Sequence, residues 1–129
     1  MSAAPDKSQV AISPNSRDLA DEVVEKGGFA DRQDVYRLAI AVALTKQLEP
    51  APEDVGGRIN YLGTGSLDPE ASIRTAIVQL REDGRDRPYA LAERLAEAGI
   101  AVLHEHLNSG RSIREFLDGL SGSGYSPAD

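Results

Sequence analysis

The sequence predicts a mainly α-helical fold in which one short N-terminal strand precedes about five helices. Three observations lead to this class. Aromatic residues make up 5% of the 129 residues and Trp is absent, so the core must be built from Leu, Ile, Val and Ala, which favours packed helices. Apolar residues recur at spacings of three and four over most of the chain. Ser13-Pro14 and Asp68-Pro69 each join a capping side chain to a proline suited to a first helical turn.

The N-terminal stretch predicts an arm and then a strand. Residues 1–8 are mostly small or polar, and we expect a flexible arm there. Val10 and Ile12 occupy alternate positions, which predicts a brief strand over residues 9–13. So short a strand is stable only when another strand pairs with it.

The first helix should begin at Pro14 and run to about Lys26. Leu19 and Val23 lie four residues apart and give it one apolar stripe. Gly27-Gly28 should end it by permitting a left-handed turn.

The second helix carries the strongest prediction of assembly. Asp31 is placed to cap it, and it should end near Leu48. The segment Leu38 to Leu44 is apolar on every side, so it must be buried all round. In so short a chain we expect copies of the protein to supply that cover, which predicts a homo-oligomer. The predicted interface residues are Val10, Ile12, Val35, Leu38 and Val42.

Residues 49–67 contain prolines and glycines typical of a loop, in which residues 58–62 could form a short strand. Residues 68–120 predict a helical extension whose first helix runs from Pro69 to about Glu82.

The longest helix should start at Pro88 and end near Asn108, with Leu91 and Leu95 on its buried seam. Gly99 within it costs about 1 kcal/mol relative to Ala, which predicts that another helix approaches closely there. A last short helix is expected over residues 112–120, and residues 121–129 predict a flexible tail.

Composition excludes several classes of function. The chain has no Cys, which excludes a disulfide framework, a thiolate zinc site and a cysteine nucleophile. Its longest apolar run falls far short of the roughly 20 residues that span a bilayer, so we expect a cytoplasmic protein with no membrane partner. The net charge of −7 opposes binding to polyanions unless basic groups share one face.

The sequence predicts neither catalysis nor a metal or other cofactor. His104 and His106 are two apart and project from a helix in different directions, so they cannot easily share an ion. The Gly63-Thr64-Gly65-Ser66 segment lacks the further residues of a phosphate-binding loop. Arginines interleave with Glu82, Asp83 and Asp86 and should neutralise them. We therefore expect a protein that is not an enzyme.

The predicted nucleic-acid contacts are five basic residues: Lys7, Arg17, Arg32, Arg37 and Lys46. Symmetry in an oligomer could gather them onto one surface, where they would contact phosphates without reading bases. The alternative interpretation is ordinary surface charge.

The order of strand, helix, Gly-Gly-Phe turn and capped apolar helix across residues 9–48 resembles the ribbon-helix-helix module. That resemblance implies that two chains pair one strand each, through Val10 and Ile12, and bind DNA. More loosely, the chain resembles the small accessory proteins of bacterial DNA sulphur modification (the DndE family), through the N-terminal order, the chain length and the segment His106-Leu107-Asn108-Ser109-Gly110. This second resemblance implies an oligomeric, DNA-associated role in modification or anti-phage defence.

Two functional hypotheses follow from the sequence. The first is a homo-oligomeric accessory protein with a ribbon-helix-helix-like core and a C-terminal helical extension, associated with DNA. The second is a protein-binding adaptor without nucleic-acid contact, in which the helix from Pro88 to Asn108 presents a face to a larger enzyme.

Overall fold

The computed structural model describes residues 6–53 and 57–123. These residues are mainly helical, which confirms the predicted class. The elements are β1 (Gln9–Ile12), α1 (Pro14–Gly27), α2 (Arg32–Thr45), β2 (Ile59–Gly63), α3 (Thr64–Leu67), α4 (Ser72–Leu80), α5 (Pro88–Asn108) and α6 (Ile113–Ser123), with one turn of 3₁₀-helix at Glu82–Gly84.

The ends of the first two helices follow the predicted capping chemistry. The Ser13 hydroxyl accepts a hydrogen bond from the N–H of Ser16 at 3.2 Å and caps α1. Gly28 ends α1 with φ of +70°, a left-handed conformation that glycine adopts without strain. The Asp31 carboxylate caps α2 by accepting from the N–H groups of Gln33 and Asp34.

Helix α5 lies at the centre of the fold, and α1, α2 and α4 pack against it. It meets α2 most closely at Gly99, where an added Cβ would collide with the backbone carbonyl of Ala39. The predicted close approach of a helix at Gly99 is therefore confirmed.

Strand β1 pairs with β2 of the same chain, in antiparallel fashion and with a bulge between Val10 and Ala11. The opposite edge of β1 is also covered, because the N–H of Ala11 donates to Glu93 at 2.8 Å and its carbonyl accepts from the Tyr36 hydroxyl at 3.0 Å. Both backbone groups of Ala11 are therefore bonded within the chain. Within the chain Val10 and Ile12 pair with Leu62 and Ile59 of β2, which differs from the strand pairing of a ribbon-helix-helix module. The expected pairing of Val10 and Ile12 across a two-fold axis stays a prediction.

Helix α2 is covered by its own chain. Helices α1, α4 and α5 all contact it. Of the predicted interface residues, Val10, Ile12, Val35 and Val42 are fully buried within a single copy, and Leu38 is partly buried against the same core. The reason for expecting a homo-oligomer, an apolar helix without cover, does not hold. The cover comes from α1, α4 and α5 of the same chain, which pack against α2.

The predicted flexible arm is fixed from Asp6 onward, and residues 1–5 lie outside the described residues. The Asp6 carboxylate accepts hydrogen bonds from the N–H groups of Tyr89 and Ala90 at 2.8 and 3.1 Å, and so caps the first turn of α5. Lys7 forms an ion pair with Glu93. At the other terminus α6 extends to Ser123, and the rest of the predicted tail is outside the described residues.

The middle of the chain differs from the expectation in two details. The predicted loop after β2 contains one helical turn, α3. The next helix starts at Ser72 and not at Pro69, because Ala71 has φ of +57° and interrupts the helical path. The Asp68 carboxylate still caps α4, accepting from the N–H groups of Ile73 and Arg74 at 3.0 Å each.

Candidate functional site

Arg17 and Arg32, two of the predicted nucleic-acid contacts, lie near Tyr61 on β2. The Arg32 guanidinium stacks 4.5 Å from the centre of the Tyr61 ring and donates to the Tyr61 carbonyl at 3.1 Å. Burial raises the pKa of Tyr61, while the charges of Arg32 and Arg17 act to lower it and that of Asp21 acts to raise it. Arg17 itself is exposed on α1.

Arg37 lies one turn further along α2 and reaches the segment after β2. It donates to the carbonyls of Leu67 and Ser66 at 2.8 and 3.0 Å, and pairs with Asp34 at 3.2 Å. Arg17, Arg32 and Arg37 thus lie along β2 and α3. We call these three the arginine strip.

The arginine strip lies among carboxylates. Asp34 pairs with Arg37, and Asp31 caps α2 beside Arg32. The charge of Asp21 acts to raise the pKa of Tyr61. The resulting surface carries charges of both signs.

The structure does not bring Lys7 and Lys46 to the arginine strip. The Lys7 ammonium lies 2.9 Å from the Glu93 carboxylate at the start of α5. Lys46 follows the C-terminus of α2, and Arg32 is at its N-terminus; a helix of 14 residues is about 21 Å long. The five predicted residues therefore form no single patch within one copy.

Sequence reasoning missed a buried pair of carboxylates on α5. Glu97 is 7% exposed and accepts hydrogen bonds from the hydroxyls of Ser13 and Ser16 at 2.7 and 2.8 Å. Its other oxygen accepts from Nε of Arg58 at 2.5 Å. Charged side chains are seldom buried without such partners. Glu97 thereby joins the β1–α1 turn and the start of β2 to α5.

Glu93, one turn earlier, is 4% exposed and joins β1 to α5 through Lys7 and the N–H of Ala11. One feature of the sequence points to this pair: the two glutamates lie four residues apart, on one face of a helix that is otherwise rich in apolar residues. We call Glu93, Glu97 and the groups that bind them the carboxylate network.

A polar groove of about 360 Å³ lies beside this network. Its charges are largely neutralised by neighbours: Lys7 pairs with Glu93, Arg94 with Glu53, and Asp83 with Arg81 outside the groove. Hydrogen bonds from Arg81 hold the pKa of Asp83 below its usual value, against a smaller opposing effect of burial. Asp83 is therefore paired with an arginine as predicted, and the neutralisation of Glu82 and Asp86 stays a prediction.

The two histidines face different partners. Nε2 of His104 lies 3.3 Å from the Glu22 carboxylate on α1, while Nε2 of His106 lies 2.6 Å from the carbonyl of Ser112. Among the described residues there is no group of three or more His, Cys, Asp or Glu that could hold a metal ion.

Helix α6 packs on the C-terminal half of α5 through Phe116, which is 7% exposed. The His106 ring meets the Phe116 ring edge-on, with 4.9 Å between centroids, and the Lys46 ammonium lies 5.8 Å from the same ring. Leu117, the next residue along α6, is 42% exposed.

A second groove, of about 350 Å³, runs between α5 and α6. Val102 and Phe116 provide its apolar surface, and charges of both signs line it: Lys46, Arg111, Glu105 and Glu115. We call it the α5–α6 groove.

Helix α5 is buried on most sides along its N-terminal half. Leu91, Leu95 and Ile100 are in the core, and both glutamates of the network are buried. The prediction that the helix from Pro88 to Asn108 presents a face to a larger enzyme stays a prediction, and its N-terminal half offers little exposed surface for it. Leu117 on α6 is an exposed apolar side chain near the C-terminal end of α5.

Within the described part of the chain, no helix has the length and apolar character needed to cross a bilayer. Comparisons with protein-family models, with curated proteins and with solved structures find no match to this chain. Family membership therefore stays a prediction of the sequence.

Proposed function

We propose that this chain is a non-catalytic adaptor that binds a larger protein through α6. The observation that carries the proposal is the exposure of Leu117 beside the buried Phe116. Phe116 holds the helix in place, so Leu117 is presented on an ordered element. Burying a leucine side chain contributes about 1.5–3 kcal/mol, of which the exposed part of Leu117 is still available to a partner.

The hydrogen bonding of the buried carboxylates on α5 supports a non-catalytic role. The buried carboxylates of Glu93 and Glu97 accept hydrogen bonds or ion pairs from five groups of the fold itself. A general acid or base must reach a substrate proton at hydrogen-bond distance. Carboxylates bonded in this way stabilise the fold and are poorly placed for proton transfer.

Site-specific photo-crosslinking in the cells that make the protein tests this proposal. Benzoylphenylalanine at position 117 should give a discrete crosslinked protein after irradiation. The matched control places the same group at Asp18, an exposed position on α1. Identical crosslinked products from both positions, or none from position 117, would contradict the proposal.

A second candidate function is a DNA-associated accessory protein, as the sequence hypothesis has it. The observation that favours it is the arginine strip, because three guanidinium groups along one edge could follow a phosphate backbone. Nearby carboxylates and the net charge of −7 weigh against it.

A salt titration of binding to duplex, nicked and single-stranded DNA decides this candidate. Phosphate contacts predict an affinity that falls steeply with salt, and Arg17→Glu should weaken it without disturbing the hydrogen bonds made by Arg32 and Arg37. Absence of binding at low salt would eliminate the candidate and leave the adaptor.

A further inference from the structure

We infer that α6 exchanges between two copies of this chain. In the exchanged dimer, α5, the turn after it and α6 form one continuous helix, and the α6 of each copy packs on the core of the other. The partner is thus a second copy of the chain. The inference goes beyond the adaptor function, which concerns the form in which α6 folds back on its own chain.

The contacts that hold α6 on the core are mainly apolar. Phe116 is 7% exposed, and Ile113 and Leu120 are partly buried against the same core. The side-chain hydrogen bonds of Ser112 and Glu115 join these two residues to each other, at the start of α6. The α6 of a second copy can make the same apolar contacts, because both copies offer the same core surface.

The turn between the two helices, residues 109–112, depends on one glycine. Gly110 has φ of +89°, a conformation that favours glycine, at the point where the chain turns back toward α5. Glycine adopts the right-handed helical conformation as well. A change of backbone angles in this turn is therefore enough to join α5 to α6.

The apolar face of α5 continues through the turn into α6. Apolar residues and one glycine recur at every third or fourth position, which is the spacing of one helical face: Leu103, Leu107, Gly110, Ile113, Leu117 and Leu120. A continuous helix would therefore keep Leu117 on the same side as Leu103, which is fully buried. In the folded-back form Leu117 is 42% exposed. The spacing thus fits one long helix that reaches a second core.

The folded-back form should predominate in dilute solution. A short linker gives α6 an effective concentration in the millimolar range at the core of its own chain. The exchanged dimer should therefore form at millimolar concentrations of protein, and at lower concentrations when the turn is strained.

Straining the turn tests the inference. Gly110→Ala places a side chain at positive φ, and among the described residues no neighbouring atom lies within 4 Å of the new Cβ, so the effect comes from the backbone. Exchange relieves two such turns in each dimer. The dissociation constant of the dimer, measured by sedimentation over a concentration series, should therefore fall about tenfold or more relative to wild type.

The matched control is Gly119→Ala, which adds the same methyl group within α6 and leaves the turn unstrained. Its dissociation constant should equal that of the wild type.

The contact between Phe116 and His106 distinguishes exchange from simple association. Their ring centroids are 4.9 Å apart within one chain of the folded-back form. In a Gly110→Ala dimer assembled from differently isotope-labelled copies, NMR should detect this contact between the copies and not within one. Adding Phe116→Ala should abolish the dimer, because the side chain that holds α6 is lost.

Three results would overturn the inference. They are the absence of a dimer in Gly110→Ala, an equal gain of dimer in Gly119→Ala, and a contact between Phe116 and His106 that stays within one copy of the dimer.

Discussion

The two ends of α5 are held in different ways. At the N-terminal end, hydrogen bonds and ion pairs join the helix to residues far away in the sequence: Asp6, Lys7, Ala11, Ser13, Ser16, Ala51 and Arg58. At the C-terminal end, the polar contacts with α1 are made near the surface, between His104 and Glu22 and between Lys26 and Asn108. The contacts with α6 there are apolar or local, as in the bond from His106 to Ser112.

We expect the N-terminal end of α5 to determine the stability of the fold and the C-terminal end, with α6, to take part in binding. The carboxylate network connects both strands and α1 to α5, so breaking it should loosen the whole fold. Helix α6 carries an exposed leucine, so changes there should affect binding and leave the fold nearly intact. The following predictions test that contrast, from the largest expected effect to the smallest.

Glu97→Ala should cause the largest loss of stability. It leaves the Arg58 guanidinium, whose side chain is 10% exposed, without its carboxylate, and removes the acceptor of two serine hydroxyls. Breaking a buried pair of this kind costs about 3–5 kcal/mol. Urea unfolding measures it, and the control is Glu105→Ala, an exposed glutamate on the same helix, which should change the free energy of unfolding by less than about 0.5 kcal/mol. Equal effects of the two substitutions would refute the contrast.

Gly99→Ala should be the next most damaging change. The new methyl group would meet the carbonyl of Ala39, so α2 and α5 must separate, at a cost of about 1–3 kcal/mol. Gly119→Ala on α6 is the control, because among the described residues no neighbouring atom lies within 4 Å of its Cβ position. There the substitution should stabilise the protein by up to about 1 kcal/mol, as helix propensity predicts. Thermal unfolding compares the two, and a stabilised Gly99→Ala variant would show that the helices are not in close contact.

Asp68→Asn should have the smallest effect, and one that depends on pH. Burial would raise the pKa of Asp68, but hydrogen bonds from the N–H groups of Ile73 and Arg74 and from Tyr89 outweigh it and hold the pKa below its usual value. The stabilisation is therefore present above about pH 4 and is lost as the pH falls through the lowered pKa of the folded state. At neutral pH the variant should be about 1 kcal/mol less stable, a difference that shrinks in acid.

The alkaline side gives an independent check of the same contact. Burial and the bond to Asp68 raise the pKa of Tyr89 to about 12. The neutral Tyr89 hydroxyl therefore adds to the free energy of unfolding at any pH below about 10, the pKa of tyrosine in the unfolded chain. This contribution is lost as the pH rises through 12, the pKa in the folded protein. This alkaline loss should be smaller in Asp68→Asn. A spectroscopic titration of Tyr89 that gives the same midpoint in both proteins would contradict the assigned bond.

Local features of the fold could be predicted from the sequence. The capping residues Ser13 and Asp31, the proline starts of α1 and α5, and the close approach at Gly99 all follow from short-range chemistry. Both strands were placed to within a residue or so. These features depend on side chains a few residues apart, which the sequence displays directly.

Features that depend on distant residues could not be predicted. The partner of β1 is about 50 residues away, and the partners of Glu93 and Glu97 lie up to 84 residues away. A glutamate in a helix is most often exposed, so the pattern alone favoured solvent. The capping of α5 by Asp6 was hidden for the same reason. The candidate site was missed because the exposure of Leu117 depends on how α6 packs.

Hydrogen exchange of the full chain tests the division between the two ends of α5 most directly. The amides of α6 should exchange faster than those around Glu93 and Glu97. In Glu97→Ala, exchange should speed up in β1, α1 and β2, because the carboxylate network joins these elements to α5. Exchange around the network as fast as in α6, or no change in Glu97→Ala, would contradict the account.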